Sequence, residues 1–147
     1  MTEYTKIVYN ACYGGFSISE AAIRRYAKIK GITLYPEEAE YGFTTFWTIP
    51  PEEREGKYLK GEEFYSASFD DRAASNKFWS ENTISERDID RDDPVLVQVV
   101  EELGEDANGR CAQLRIAELP NGTLYRIDEY DGFESVETKD SYEWKVA

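Results

Sequence analysis

The sequence predicts an α+β fold, an antiparallel β-sheet with two main helices packed on one face. Three observations carry this expectation. Residues 6–31 read as a strand, a double-glycine turn, a capped helix and a glycine stop. Residues 93–104 carry a second helix signal, and residues 111–146 alternate between apolar and polar side chains around turn dipeptides. Strands and helices segregated along a chain in this way give α+β rather than α/β architecture. A chain of 147 residues without a linker, repeat or low-complexity tract is expected to form one domain, residues 1–147.

The first strand, Lys6 to Cys12, holds Ile7, Val8 and Tyr9, which suit a pleated, half-buried surface. Gly14-Gly15 ends it with a sharp turn. Ser17-Ile18-Ser19-Glu20 fits a capping box, and Ala22, Ile23, Tyr26 and Ala27 then recur at helical spacing. Gly31 supplies a left-handed stop. Residues 33–83 read as an aromatic-rich insertion. Ile32 to Tyr35 suggests a short strand, Pro36 to Glu40 a turn, Gly42 to Ile49 a strand, and Glu52 to Lys60 a charged loop or short helix. Glu62 to Phe69 reads as a further strand, with Phe78-Trp79 anchoring a surface segment. Ten aromatic residues fall between Tyr41 and Trp79, more than one small core needs; the surplus points to a homo-oligomer interface or a stacking surface.

Beyond the insertion, Ile84 to Ile89 suits an edge strand. Asp93-Pro94 opens a helix with Asp as N-cap and Pro in the first turn. Leu96, Val99, Val100 and Leu103 form its apolar stripe and Gly104 ends it. Cys111 to Leu119 reads as a strand with Ala112, Leu114 and Ile116 on one face. Pro120-Asn121-Gly122 and Asp131-Gly132 are hairpin signals flanking a return strand, Thr123 to Tyr130. Phe133 to Thr138 and the alternation of Tyr142, Trp144 and Val146 would complete a C-terminal meander.

Composition narrows the chemistry. The chain has no histidine, which removes Ser-His-Asp and Cys-His catalysis and His-ligated zinc. Cys12 and Cys111 form no metal-ligand pair by spacing and suit a reducing, cytoplasmic setting. No apolar run reaches the roughly 20 residues of a membrane span. The net charge of −13 argues against direct nucleic-acid or anionic-membrane binding. That charge is uneven: residues 1–31 hold five Lys/Arg and two Asp/Glu, the rest 12 and 28. The first helix is therefore a basic patch in an acidic protein. No cofactor or metal is expected: Asp88, Asp90 and Asp92 imitate a calcium loop, but Asp93 and Val99 stand where that loop needs Gly and Glu.

Three stretches resemble a small uncharacterised family of accessory proteins encoded by tailed phages and prophages. They are K-I-V-Y-N-A-C-Y-G-G-F-S-I-S-E-A-A at residues 6–22, D-I-D-R-D-D-P-V-L-V-Q-V-V-E-E-L-G-E-D-A-N-G at residues 88–109, and R-I-D-E-Y-D-G-F-E at residues 126–134. The resemblance implies a protein acting in a bacterial cytoplasm against host defences. It implies no activity.

The glycine turn entering a helix leaves N–H groups that suit an anion. The candidate ligand-binding residues are Asn10, Tyr13, Gly14, Gly15 and Ser17 of this unit, Arg24 of the basic helix, Arg91, and Glu129, Tyr130 and Glu134 around the Asp131-Gly132 turn. Carboxylates there could accept base or ribose hydrogens while an arginine neutralises phosphate. The leading expectation is a non-catalytic binder that sequesters a small anionic nucleotide-type ligand. The alternatives are an acidic DNA mimic or protein–protein inhibitor of a host protein, and an enzyme using carboxylates with a metal.

Overall fold

The computed structural model describes residues 3–39, 42–139 and 145–147. Its strands are β1 (Tyr4–Asn10), β2 (Tyr35–Glu37), β3 (Thr45–Trp47), β4 (Leu114–Pro120), β5 (Tyr125–Tyr130) and β6 (Phe133–Thr138). Its helices are α1 (Glu20–Lys30), α2 (Pro51–Arg54), α3 (Gly61–Ser66), α4 (Phe69–Asn82) and α5 (Pro94–Leu103), with single 3₁₀ turns at Glu86–Asp88 and Gly104–Ala107. The fold is α+β and every strand pairing is antiparallel. The chain divides into two compact units, Met1–Lys30 with Ile89–Ala147, and Gly31–Asp88.

In the first unit β1 pairs with β4 from Tyr4↔Pro120 to Asn10↔Leu114. Ile7 and Val8, neighbours on β1 and so on opposite faces, are both fully buried. The strand is covered on both sides here, rather than half-buried as expected. Helices α1 and α5 pack against each other, and α5 also packs on β1. On α1 they bury the expected stripe, Ala22, Ile23, Tyr26 and Ala27; on α5 they bury the expected Leu96, Val99 and Val100 together with Val97, while Leu103 is only half-buried. Each buried aliphatic side chain of that size contributes about 1.5–3 kcal/mol. Asp93 caps α5, its Oδ1 accepting the Val95 N–H at 2.8 Å, and Pro94 follows in the first turn. Gly31 and Gly104 stop the two helices with φ of 76° and 58°.

Several details depart from expectation. The N-cap of α1 is Ser19, not Ser17: its Oγ accepts the Ala22 N–H at 3.1 Å and donates to the Asp106 carbonyl at 2.6 Å. Ser17 instead lies in an extended pairing, its carbonyl accepting the Gly109 N–H at 3.0 Å. The C-terminal strands are distributed over two pairs. Strand β4 takes β1 as partner, and β5 pairs with β6 from Tyr125↔Thr138 to Tyr130↔Phe133. Pro120 and Thr123 do form a turn, the Thr123 N–H reaching the Pro120 carbonyl at 3.1 Å. That turn redirects the chain without zipping β5 onto β4. Asp131 and Gly132, both at positive φ (49° and 86°), form the tight hairpin turn their sequence signals. The expected strand through Tyr142 and Trp144 lies outside the described residues.

In the second unit β2 and β3 pair over Tyr35↔Trp47 to Glu37↔Thr45, so Pro36 and Glu37 belong to a strand rather than a turn. Trp47 is fully buried and organises the unit. Tyr58 meets its ring edge-on at 5.1 Å between centroids and Phe78 lies at 6.1 Å. Residues 62–66 lie in helix α3 and Phe69 opens α4, with Ala67 and Ser68 as an extended link between them, so no strand forms there. Their aromatics suit a strand, but Glu62 and Glu63 open a helix, and Ser68 caps the next one by accepting the Asp71 N–H at 3.1 Å. The expected edge strand at 84–89 contains a 3₁₀ turn, in which Asp88 Oδ2 accepts the Ser85 N–H at 3.0 Å.

Tyr26 and Asp93 tie α1 to the start of α5, the phenol donating to Asp93 Oδ2 at 2.7 Å, with Lys30 Nζ 3.5 Å from the same oxygen. Burial, then the Asp93 hydrogen bond, pushes the Tyr26 phenol well above its usual range. Burial opposes ionisation of Asp93, but the Tyr26 and Val95 hydrogen bonds and Lys30 outweigh it and hold the carboxyl low. Asp93 therefore contributes stability that is present above its ordinary value near 3.8 and lost as pH falls through the depressed one. Tyr26 contributes stability that is present below its ordinary value near 10.0 and lost as pH rises through the raised one. Tyr26→Phe should cost about 1–2 kcal/mol at neutral pH and remove much of the alkaline fall in stability. Urea denaturation of both proteins across pH measures this; an unaltered alkaline limb would contradict the assignment.

Candidate functional site

The site is built around the edge of β1 that faces away from β4. A strand edge leaves N–H and C=O groups that must find partners. Here the partners come from two residues, Arg91 through both its backbone carbonyl and its guanidinium, and Glu134 through its carboxylate. The Val8 N–H donates to the Arg91 carbonyl at 2.8 Å, and Arg91 Nη1 reaches the Val8 carbonyl at 3.4 Å. The Asn10 N–H donates to Glu134 Oε1 at 2.8 Å. Arg91 and Glu134 then close on each other in a two-pronged ion pair, 2.7 and 2.8 Å long. Phe16 covers the guanidinium, whose centre lies 3.4 Å from the ring centroid.

Asn10 is fully buried and its side-chain hydrogen bonds are all made. Its Nδ2 donates to the Cys12 carbonyl at 2.7 Å and the Gly132 carbonyl at 2.9 Å, and its Oδ1 accepts the Gln113 N–H at 2.8 Å. One side chain thus joins β1, the approach to β4 and the tip of the β5–β6 hairpin.

The double glycine is held against neighbouring backbone. A Cβ on Gly14 would stand 1.9 Å from the Cys111 carbonyl oxygen, so only glycine fits there. The Gly14 N–H points to Cys12 Sγ at 3.3 Å, and the Cys12 thiol in turn donates to the Cys111 carbonyl at 2.6 Å. Gly15 packs against the hairpin tip: a Cβ on Gly132 would stand 2.7 Å from the Gly15 nitrogen. Ser17 lies against Gly109. The basic patch is also engaged. Lys6 pairs with Glu101 at 3.2 Å, Arg25 with Glu102 at 3.0 Å and Lys30 with Asp93 at 3.5 Å, and Arg24, exposed on α1, has an interaction partner of its own.

The ten sequence candidates thus separate by position. Asn10, Arg91 and Glu134 come together as a packed, mutually satisfied cluster, with Gly14, which is exposed, Gly15 and Ser17 at its margin. Glu129 sits on the hairpin turn, its Oε1 accepting the Gly132 N–H at 3.0 Å. Tyr13 and Tyr130 project into solvent at 67% and 79% exposure. Phe133, which sequence reasoning overlooked, lies 5.2 Å from the Tyr13 ring and is itself exposed. Tyr125 was overlooked as well; burial, then the charges of Asp92 and Asp90, pushes its phenol above the usual range. The signal lies in the acids around Tyr130 and Phe133 in residues 128–134, which the sequence reading takes as a turn and as ligand-binding Glu129, Tyr130 and Glu134 rather than as an exposed aromatic pair with Tyr13.

Asp128, Glu129 and Asp131 neighbour Tyr130 in the hairpin and are exposed, while Asp90 and Asp92, also exposed, lie beside Tyr125 at the opposite end of β5 from the turn. Among the described residues no cluster of three or more His, Cys, Asp or Glu is placed to hold a metal ion. None of their helices is long and apolar enough to cross a membrane. No family model, no curated protein and no solved structure matches the chain.

Removing one partner of a buried ion pair strands the other. Glu134→Ala should therefore destabilise the first unit by about 3 kcal/mol. Asn10→Ala should cost about 2–3 kcal/mol by orphaning three backbone groups. Tyr130→Ala should stay within about 0.5 kcal/mol. Chemical denaturation of the three variants tests this ranking, and a Tyr130 effect as large as that of Asn10 would refute it.

Proposed function

We propose that the chain is a non-catalytic binding protein that engages a basic surface on another protein through the β5–β6 hairpin and the Tyr13 loop. The observation that carries this reading is the exposure of Tyr13, Tyr130 and Phe133 on a turn whose base is locked by Asn10, Arg91 and Glu134. Exposed tyrosines on a rigid support are effective interface anchors, because little side-chain freedom is lost on contact. The neighbouring Asp128, Glu129 and Asp131 favour a partner rich in lysine and arginine, and the net charge of −13 would speed the encounter.

This is the acidic-inhibitor expectation with a specific surface attached. The resemblance to phage accessory proteins makes a host protein the natural partner, and a nucleic-acid-binding host protein the best match in charge. The reading as a receptor for an anionic nucleotide has less support. Gly14 is packed on Cys111, and the Arg91 guanidinium is already committed to Glu134 and Phe16.

Pull-down from a bacterial lysate at low and high salt, followed by calorimetry with the purified partner, tests the proposal. The partner should be basic and its affinity should fall with salt. Tyr130→Ala and Tyr13→Ala should each weaken binding about 30-fold or more, equivalent to about 2 kcal/mol at an interface hot spot. Heat of binding with a cyclic or ADP-ribose-type nucleotide, in the absence of any salt-sensitive protein partner, would reverse the choice.

A further inference from the structure

The second unit holds a cleft that the hairpin reading does not use. Its volume is about 520 Å³, within the ordinary range for small-molecule sites, and Glu37, Glu52, Arg54, Glu55, Tyr58 and Lys60 line it. Arg54 is the unusual member. Its side chain is only 12% exposed and its guanidinium lies over the Trp47 ring, 4.8 Å from the centroid. Yet its Nη1 is buried and has no hydrogen-bond partner among the described residues.

The nearest carboxylate does not satisfy it. Glu37 Oε2 stands 3.9 Å from Nη1, beyond hydrogen-bond reach. Glu37 is held elsewhere, by Lys60 Nζ at 2.6 Å and by the Trp47 indole N–H at 3.4 Å. A buried guanidinium nitrogen without an acceptor is costly to keep; it exposes less than 1 Å², so an oxyanion relieves that cost only by shifting the atoms that cover it.

The walls restrict which oxyanion fits. Three carboxylates and two cations line the cleft, so a bare anion meets net negative charge. A molecule carrying an oxyanion at one end and a cation at the other meets complementary groups at both. We propose that this cleft binds a small zwitterion of the amino-acid type, its carboxylate on Arg54 and its ammonium group towards Glu52 and Glu55. The proposal concerns the second unit alone and stands or falls separately from the hairpin surface.

The test is a nuclear magnetic resonance titration of the full chain with L-lysine, with acetate as the anion-only arm, reading the Trp47 indole N–H and the Leu59 amide. The Leu59 amide reports because it donates to Ser75 Oγ at 2.9 Å, next to Tyr58 in the chain. L-lysine should give saturable shifts at a half-point at least about tenfold below that of acetate, a difference well outside titration error. Arg54→Met, which keeps the stem over Trp47 and removes the donors, should abolish them. Should that variant lose its dispersed spectrum, Glu52→Gln with Glu55→Gln provides the second measurement, because it changes only exposed side chains. It should weaken L-lysine and leave acetate unchanged or tighter. Absence of saturation with L-lysine, equal affinity for acetate, or unchanged L-lysine binding in either variant would overturn the assignment.

Discussion

Everything in the first unit that faces away from β4 depends on how the bare edge of β1 is satisfied. Most sheets solve this with another strand. Here two residues do it, Arg91 at Val8 through its backbone carbonyl and guanidinium and Glu134 at Asn10 through its carboxylate, and the two side chains neutralise each other in the process. The arrangement fixes three things at once: the loop before α5 that carries Arg91, the start of β6 that carries Glu134, and the turn at Gly132 that Asn10 holds. Its energetic worth comes from mutual dependence. Each member desolvates the others, so none can be removed without leaving a buried polar group stranded.

The same commitment explains why the candidate cluster resembles a binding site in sequence and functions as a joint in three dimensions. Residues suited to recognising a ligand, an arginine, an asparagine, a glutamate and paired glycines, are also suited to recognising backbone. In this chain the backbone groups are nearer. What remains for an outside partner is what the joint does not consume, namely the rings of Tyr13, Tyr130 and Phe133 and the carboxylates around them.

Legibility followed the range of the interactions. Helices α1 and α5 could be read because cap, stripe and stop all fall within a dozen residues: Asp93, the Leu96 to Val100 stripe and Gly104 are a complete local statement. The Asp131-Gly132 turn was legible for the same reason. The Arg91–Glu134 pair was not, since its members are 43 residues apart and neither breaks a local pattern. Nor was the partner of β4, because Pro120-Asn121-Gly122 signals a turn without stating whether the strands around it pair. Residues 61–82 misled for a different reason. Helix α4 buries only Ser75 and so has no apolar stripe to read, while the aromatics of α3 and α4 imitate a strand. Sequence offered no way to tell a Gly14 amide facing a ligand from one facing Cys12 Sγ.

Tyr26 and Lys30 at the end of α1 meet Asp93 at the start of α5, so the polypeptide departs from and rejoins the first unit at a fastened gate. Residues 31–88 lie between those posts. With the gate shut by its own contacts, the length of chain looped between them costs the first unit little, since closure entropy grows only slowly with loop size. The intervening segment is therefore free to be lengthened, shortened or exchanged over generations. A lineage could trade one such segment for another there while the hairpin and its anchoring joint stay as they are.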